Sequence, residues 1–250
     1  MNFSFDSFLY LWLAIAVLTF ASLFFISAPY GRHNRKGWGA QVNNKWGWII
    51  MELASPFALS YFFFSTPNEK NSAVWVFYLL WIFHYFYRSL IFPFKLNSKG
   101  KTIPLSIVLM AIFFNSVNGF TNGFYFGNFA ADYSTYSFLS PQFILGFAVF
   151  ILGFYIHFKS DNILINLRKN NSGYNIPNSF LFKKVASPNY FGEILEWFGF
   201  AIMTNALSAW CFLAWTTANL APRALANYKW YKNKFPDYPK DRKILIPGII

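Results

Sequence analysis

Long apolar stretches without Asp, Glu, Lys or Arg alternate along this chain with short stretches that concentrate the charge. Ser7–Gly31, Thr102–Ala131, Tyr133–Phe158 and Trp197–Pro222 carry no such residue; Asn71–Tyr87 is a shorter run of the same kind, and Trp46–Ser65 is interrupted only by Glu52. A helix needs about 20 mostly apolar residues to cross a bilayer, so the pattern predicts spanning helices over 8–28, 46–65, 72–93, 103–120 and 141–166. Val185–Pro222 lies between basic flanks, Lys183 and Lys184 before it and Arg223 after it. One helix there would put positive charge on both sides of the membrane. Two short helices turning near Thr204-Asn205 keep it on one side, and the expected architecture is therefore an all-α integral membrane bundle of seven transmembrane helices.

The cations test that count. With the N-terminus outside and the C-terminus inside, the inner segments are 29–45, 94–102, 159–189 and 222–250. Together with Arg88 they hold 20 of the 21 Lys and Arg, and Lys70 alone lies outside with Asp6, Glu69 and Asp132. Such asymmetry is what the positive-inside rule expects. Residues 1–28 read as the first helix rather than a signal peptide, because no positive n-region precedes a run that is too long. The ending Pro247-Gly-Ile-Ile250 offers no prenylation Cys.

Composition agrees with a bilayer. The 250 residues are 56% hydrophobic and only 12% charged, about half the charge of a soluble domain. The net charge of +12 thus reports membrane sidedness rather than nucleic-acid binding. A single cysteine, Cys211, excludes a disulfide framework or a thiolate metal cluster. No GxGxxG, Walker loop, HExxH or CxxC is present, so no metal is expected and any nucleotide must sit among helices.

Against that background, ionisable residues inside the apolar runs are functional candidates, since each is costly to insert. They are Glu52, His84, Arg88, Glu193 and Glu196, with Asp161 and Arg168 at the inner boundary. Glu52 in an apolar helix should have its charged form disfavoured by desolvation. It can then donate a hydrogen bond, or pair with Arg88. His84 and Arg88 share a helix face, and Tyr85 needs a partner for its hydroxyl. The basic stretch 159–189 and the residues up to Glu193 combine cations, amides and a glycine, a set that suits a polyanionic cofactor or a solvated inner loop.

The C-terminal third resembles the steroid 5-alpha-reductase family. The residues that carry the likeness are Leu167-Arg168-Lys169, Gly173-Tyr174-Asn175-Ile176-Pro177, Leu181-Phe182, Pro188-Asn189-Tyr190-Phe191-Gly192-Glu193, Glu196-Trp197 and Gly199, then Tyr231, Phe235, Asp237-Tyr238-Pro239 and Arg242 to Pro247. Upstream, Pro29-Tyr30-Gly31-Arg32-His33, Glu52 to Phe57, His84-Tyr85-Phe86 with Arg88, Asn118-Gly119 and Ser160-Asp161 fit in order. The resemblance implies one multi-pass reductase domain over 1–250, with the cofactor-binding part at about 141–250. The activity it implies is NADPH-dependent reduction of the carbon–carbon double bond of a 3-oxo-Δ4 steroid. It implies Glu52 and Tyr85 on the 3-keto oxygen. It implies Tyr30, Arg32, His33, Arg88, Asp161, Arg168, Tyr174, Asn189, Glu193, Arg223 and Tyr231 around NADPH. Two positions depart from the family pattern: His157, where Asn is usual, and Lys101, where Arg is usual, and both are carried as cofactor positions. The partners implied are an enone lipid and the bilayer, in a bacterial inner or endoplasmic reticulum membrane with the cofactor on the cytoplasmic side.

Three other readings follow from the sequence. An enoyl or polyprenol reductase would keep the same cofactor set. An isoprenylcysteine-type methyltransferase shares a terminal Pro-x-Tyr and Gly-Glu pattern, but usually has Arg-His-Pro where this chain has Ala186-Ser187-Pro188. A proton-relaying transporter would be expected to show inverted repeats or paired broken helices.

Overall fold

A computed structural model describes residues 4–170 and 173–250, with the side chain of Asn170 outside the description. Almost all regular structure in it is helical, as the hydropathy pattern predicts. The long elements are α1 (Phe5–Phe25), α2 (Asn44–Phe64), α3 (Ser72–Phe86), α5 (Leu105–Asn128), α6 (Pro141–Asn170), α7 (Pro188–Thr204) and α8 (Leu207–Lys234). A π turn over Tyr87–Ile91 joins α3 to the short α4 (Phe92–Lys95). Two three-residue strands, β1 (Gln41–Asn43) and β2 (Thr102–Pro104), pair antiparallel with Val42 opposite Ile103.

Five helices are long and apolar enough to cross a membrane: Phe5–Phe25, Asn44–Phe64, Ser72–Lys95, Leu105–Asn128 and Pro141–Lys169. They leave large side chains on the outside, Phe25 at 88%, Phe57 at 69% and Leu18 at 68% exposure, as a lipid-facing surface requires. The turn expected near Thr204-Asn205 is present. α7 ends at Thr204, and Asn205 adopts the left-handed conformation (φ 50°), which Asn tolerates better than most residues. Two expected boundaries move furthest. α5 runs to Asn128 rather than 120, and α8 continues through Pro222 to Lys234. Loss of apolar character marks where a membrane ends, not where a helix must.

The chain divides into two compact units, one holding the N-terminal segment to Ser27 with Ile144–Ile250, the other Ala28–Phe143. In the first, α1 packs on α8. Trp12 and Trp215 have ring centroids 4.5 Å apart, and the Trp215 indole donates to the Trp12 carbonyl at 3.1 Å. α6 and α7 meet backbone to backbone through glycines spaced by seven, Gly146 and Gly153 on one and Gly192 and Gly199 on the other. A Cβ at Gly153 would strike the backbone of Glu196, and one at Gly192 the backbone of His157. Small residues of this kind let membrane helices approach closely.

The second unit is built on α2 and α5. A Cβ at Gly119 would strike the Ser55 carbonyl and one at Gly123 the Leu59 carbonyl, so these glycines set the closeness of the pair. α3 adds a buried ladder of Phe77, Trp81 and Tyr85 at four-residue spacing. Trp81 donates to Ser55 Oγ at 3.0 Å, and Phe77 packs on Phe126.

Candidate active site

In the Ala28–Phe143 unit the predicted substrate residues converge at one level of α2, α3 and α5. Glu52 and Arg88 come together, with Arg88 Nη2 3.7 Å from Glu52 Oε1 and both side chains largely shielded. The π turn explains how Arg88 is held. Pro93 has no N–H to give to the preceding turn, and the Arg88 carbonyl instead accepts the Trp48 indole N–H at 3.2 Å. The guanidinium lies 5.0 Å from the Trp48 ring centre and 4.8 Å from that of Phe92. Insertions of this type recur at functional sites.

Tyr85 is 3% exposed and stacks on Trp81. Its hydroxyl finds the partner that burial demands, donating to Asn115 Oδ1 over a long 3.5 Å. The Asn115 amide donates in turn to the carbonyl of Met51 at 2.6 Å. Asn115 thereby ties the phenol to the residue next to Glu52. Nothing in a tally of charges points to Asn115. Its signal is an amide in the middle of an apolar helix.

The remaining predicted residues of this unit lie along its β-strand edge. Tyr30 packs with Met51, Ile103, Ile107 and Val108, and Arg32 and His33 follow it in a 3-10 turn. The carbonyl of Lys101 accepts the N–H of Asn44 at 3.0 Å while its side chain is exposed.

In the other unit, His157 sits at the centre of the predicted cofactor residues. Its Nδ1 is 3.3 Å from Glu196 Oε2, its Nε2 is 3.2 Å from Asp161 Oδ2, and Glu193 Oε2 stands 3.8 Å from Nε2. The second Asp161 oxygen accepts from the Asn189 amide at 3.1 Å. Asn189 lies in the first turn of α7, whose entry is held by α8. Asn227 donates to Ser187 Oγ at 3.4 Å, and Arg223 Nε donates to the Tyr190 hydroxyl at 3.1 Å. His157, Asp161, Asn189 and Glu193 are thus brought together. Glu196, fully buried, completes the cluster.

A second group forms where α6 ends. Arg168 lies 5.2 Å from the Tyr174 ring, which meets Trp230 edge-on at 4.9 Å. Tyr231 stacks on Tyr238 at 5.3 Å and 10°. Arg242 donates to the Pro177 carbonyl at 2.8 Å and to Asn178 Oδ1 at 3.0 Å, pinning this loop to the C-terminal segment. Burial pushes the Tyr238 hydroxyl up to about 12, against the opposing pull of Arg242.

These side chains fit a nucleotide. Arg168 and Arg223 would supply cations for phosphates, the Asp161–Asn189 pair would supply donors and acceptors for ribose and amide groups, and Tyr174 would offer an aromatic face. Beside Asp161, the fully buried Ser160 hydroxyl has no partner among the described residues, as expected of a group awaiting a polar ligand.

Five long apolar helices and clusters of buried ionisable side chains mark a helical protein of membrane type with a polar site inside it. Comparison with known proteins says which. A family model for 3-oxo-5-alpha-steroid 4-dehydrogenase matches residues 101–250. Steroid 5-alpha-reductase DET2 of Gossypium hirsutum is 38% identical over 240 residues, covering 94% of this chain and 93% of that protein. The DET2 protein of Arabidopsis thaliana is 38% identical over 232 residues, 90% of this chain and 88% of its own length. The Homo sapiens 3-oxo-5-alpha-steroid 4-dehydrogenase 1 is 36% identical over 245 residues, 95% and 92%. The chain belongs to the 3-oxo-5-alpha-steroid 4-dehydrogenase family, a family of oxidoreductases, and membership implies a nicotinamide cofactor.

Proposed function

We propose that this protein reduces the Δ4 double bond of 3-oxo-Δ4 steroids to 5α-dihydro products with NADPH, its 250 residues acting as one multi-pass reductase domain. The observation that carries the reading is the Tyr85 hydroxyl, buried in apolar surroundings and joined through Asn115 to the backbone beside Glu52.

Reduction at the β-carbon of an enone moves negative charge onto the ketone oxygen. NADPH, when bound, supplies the hydride. With substrate bound, the Tyr85 O–H turns from Asn115 Oδ1 to the ketone oxygen, and Glu52 in its protonated form donates a second hydrogen bond. Donors fixed in a dry site stabilise the enolate without reorganising. Trp48 and Phe92 hold the Arg88 guanidinium so that Glu52 keeps one orientation. The neighbouring carbon then takes a proton from Tyr85 or from solvent. Asp161, Asn189, Glu193, Arg168, Tyr174, Arg223 and Tyr231 hold the dinucleotide, with Tyr30, Arg32, His33, Arg88, Lys101 and His157 as further cofactor positions.

The test is NADPH oxidation by the purified protein, with 3-oxo-Δ4 steroids and prenyl enones as substrates and product stereochemistry determined. The expected result is a 5α-dihydro steroid; turnover of prenyl enones alone would replace the steroid assignment. In the same preparation, Arg168→Ala or Asn189→Ala should weaken NADPH binding about tenfold, the range for a hydrogen bond involving a charged group. Unchanged affinity would remove that residue from the site.

Seven spans, with the N-terminus outside and the C-terminus inside, are the orientation supported by the distribution of Lys and Arg. A cysteine placed at Lys70 should react with an impermeant reagent from outside, and one at Lys99 from inside. Labelling of both from one side would overturn the topology.

A further inference from the structure

Within the Ala28–Phe143 unit, the outward apolar faces of two neighbouring helices run down to one cavity. On α2, Trp46, Ile50 and Phe57 are all exposed, and their spacing puts them on one face. On α3, the π turn and α4, Phe86, Leu90 and Phe94 recur every four residues and are exposed as well. At the end of both stripes a cavity of about 330 Å³ opens between the first turn of α2 and the turn that follows α4. It is lined by Asn43, Lys45, Trp46 and residues 96–99.

The cavity joins apolar walls to cationic ones. Lys45 Nζ stands 3.6 Å from the centre of the Phe94 ring and 5.8 Å from that of Trp46, so the ammonium is held at the aromatic rim. Lys99 is exposed on a turn closed by the Lys101 N–H, which donates to the Ser98 carbonyl at 3.0 Å. Among the described residues no carboxylate pairs with Lys45 or Lys99. The flanking sequence offers none: 29–45 carries four Lys and Arg, 94–102 carries three, and neither stretch has an Asp or Glu. The Ser98 hydroxyl is shielded and has no hydrogen-bond partner among the described residues, which leaves a donor for a polar ligand. The start of α2 is not itself the attraction, because Asn43 Oδ1 already accepts the N–H groups of Lys45 and Trp46 at 3.0 and 3.3 Å.

We propose that this cavity binds the phosphate of an anionic phospholipid. Lys45 and Lys99 face its charge, Ser98 donates to a phosphate oxygen, and the acyl chains lie along the exposed stripes of α2 and α3. Two features favour a lipid over a soluble phosphate. The apolar stripes lead into the cavity from the membrane side, and Trp46 at its rim sits where indoles anchor helices at the headgroup level. Basic pockets between spanning helices recognise anionic headgroups in this way. The edge concerned is the one whose excess of Lys and Arg marks it as the inner side, where anionic lipids gather. The site lies apart from the residues assigned to steroid and nucleotide, and the proposal stands without the reductase reading.

The experiment titrates the purified protein in detergent with dioleoyl phosphatidylglycerol or dioleoyl phosphatidylcholine and reads bound lipid by native mass spectrometry. The acyl chains are the same, so the headgroup alone is compared. The wild type should bind phosphatidylglycerol about tenfold more tightly, from two basic residues at about fivefold each less the screening by salt. Lys45→Gln and Lys99→Gln should each lower its affinity about fivefold and leave phosphatidylcholine binding as it was. Lys45→Arg keeps the charge and should keep the preference. Lys36→Gln removes an exposed cation of the same edge that does not line the cavity, and should change affinity by about twofold or less. Competition separates the sources of phosphate: neither inorganic phosphate nor NADPH at millimolar concentration should displace the lipid. Equal binding of the two lipids, or as large a loss in Lys36→Gln as in Lys45→Gln, would overturn the site. Displacement by inorganic phosphate would make it a free-phosphate site, and displacement by NADPH would return it to the nucleotide; either result overturns the lipid assignment. Every readout is binding rather than turnover, so a failure here is distinguishable from a failure of Tyr85 and Glu52 in the chemistry.

Discussion

Replacing Glu52 with glutamine should lower kcat for a 3-oxo-Δ4 steroid by about 100- to 1000-fold, the usual loss when one donor to a developing oxyanion is removed. The side chain keeps its size and its place on α2, so the fold is expected to persist. What changes is the strength of the donor. A carboxylic acid O–H answers growing charge on the ketone oxygen far better than an amide N–H does. NADPH affinity should stay within about twofold, because the side chain removed is assigned to the ketone and each pairwise loss acts locally. Tyr85→Phe should lower kcat in the same direction, and it also strands the Asn115 acceptor that the phenol now serves. The measurement is steady-state turnover alongside cofactor binding and thermal unfolding of the same samples. A Glu52→Gln protein that turns over normally would remove the carboxyl from the chemistry. One that has also lost its cofactor affinity would assign Glu52 to nucleotide binding instead.

Which parts of this arrangement the sequence exposes follows from what each part costs. Charge in a bilayer is expensive enough that its absence marks α1, α2, α3, α5 and α6, and its distribution argues for the break at Thr204-Asn205, where α7 ends. Neutral polar groups leave a fainter trace. Asn115 and Asn122 fall inside a charge-free run and look like tolerated polar residues until the structure gives one a phenol and leaves the other an open acceptor. The helix ends are equally faint, because Asn118-Gly119 interrupts hydropathy without interrupting α5. There Gly119 is needed so that the α2 backbone can come close. The same holds for Gly153 and Gly192. Their spacing is visible in the chain, but that they press on the backbones of Glu196 and His157 is a property of two helices together. Trp48 is the clearest omission. Nothing local says that its indole will take the carbonyl that Pro93 leaves unserved.

The departure at His157 yields the second large effect. The glycines of α6 and α7 bring the two backbones together at this level, and the ring is closed in with Glu196 and Asp161, all three almost fully buried. Carboxylates only accept hydrogen bonds. The ring points one nitrogen toward Glu196 and the other toward Asp161, with Glu193 close by as a third acid, and a proton on each nitrogen would let it serve two acids at once. His157→Leu removes the ring from among the acids, and breaking a buried pair from one side costs about 3–5 kcal/mol. The variant should unfold at markedly lower temperature or denaturant concentration in detergent. Its NADPH affinity should also fall, because Asp161 orients the Asn189 amide. His157→Asn separates the two effects. Its amide can still donate to one acid but carries no charge, so stability should fall less than with leucine while the Asp161–Asn189 contact is kept. If His157→Leu unfolds like the wild type, the ring does not hold the acids together. If it is destabilised but binds NADPH normally, the cluster supports the α6–α7 packing and has no part in orienting the cofactor residues.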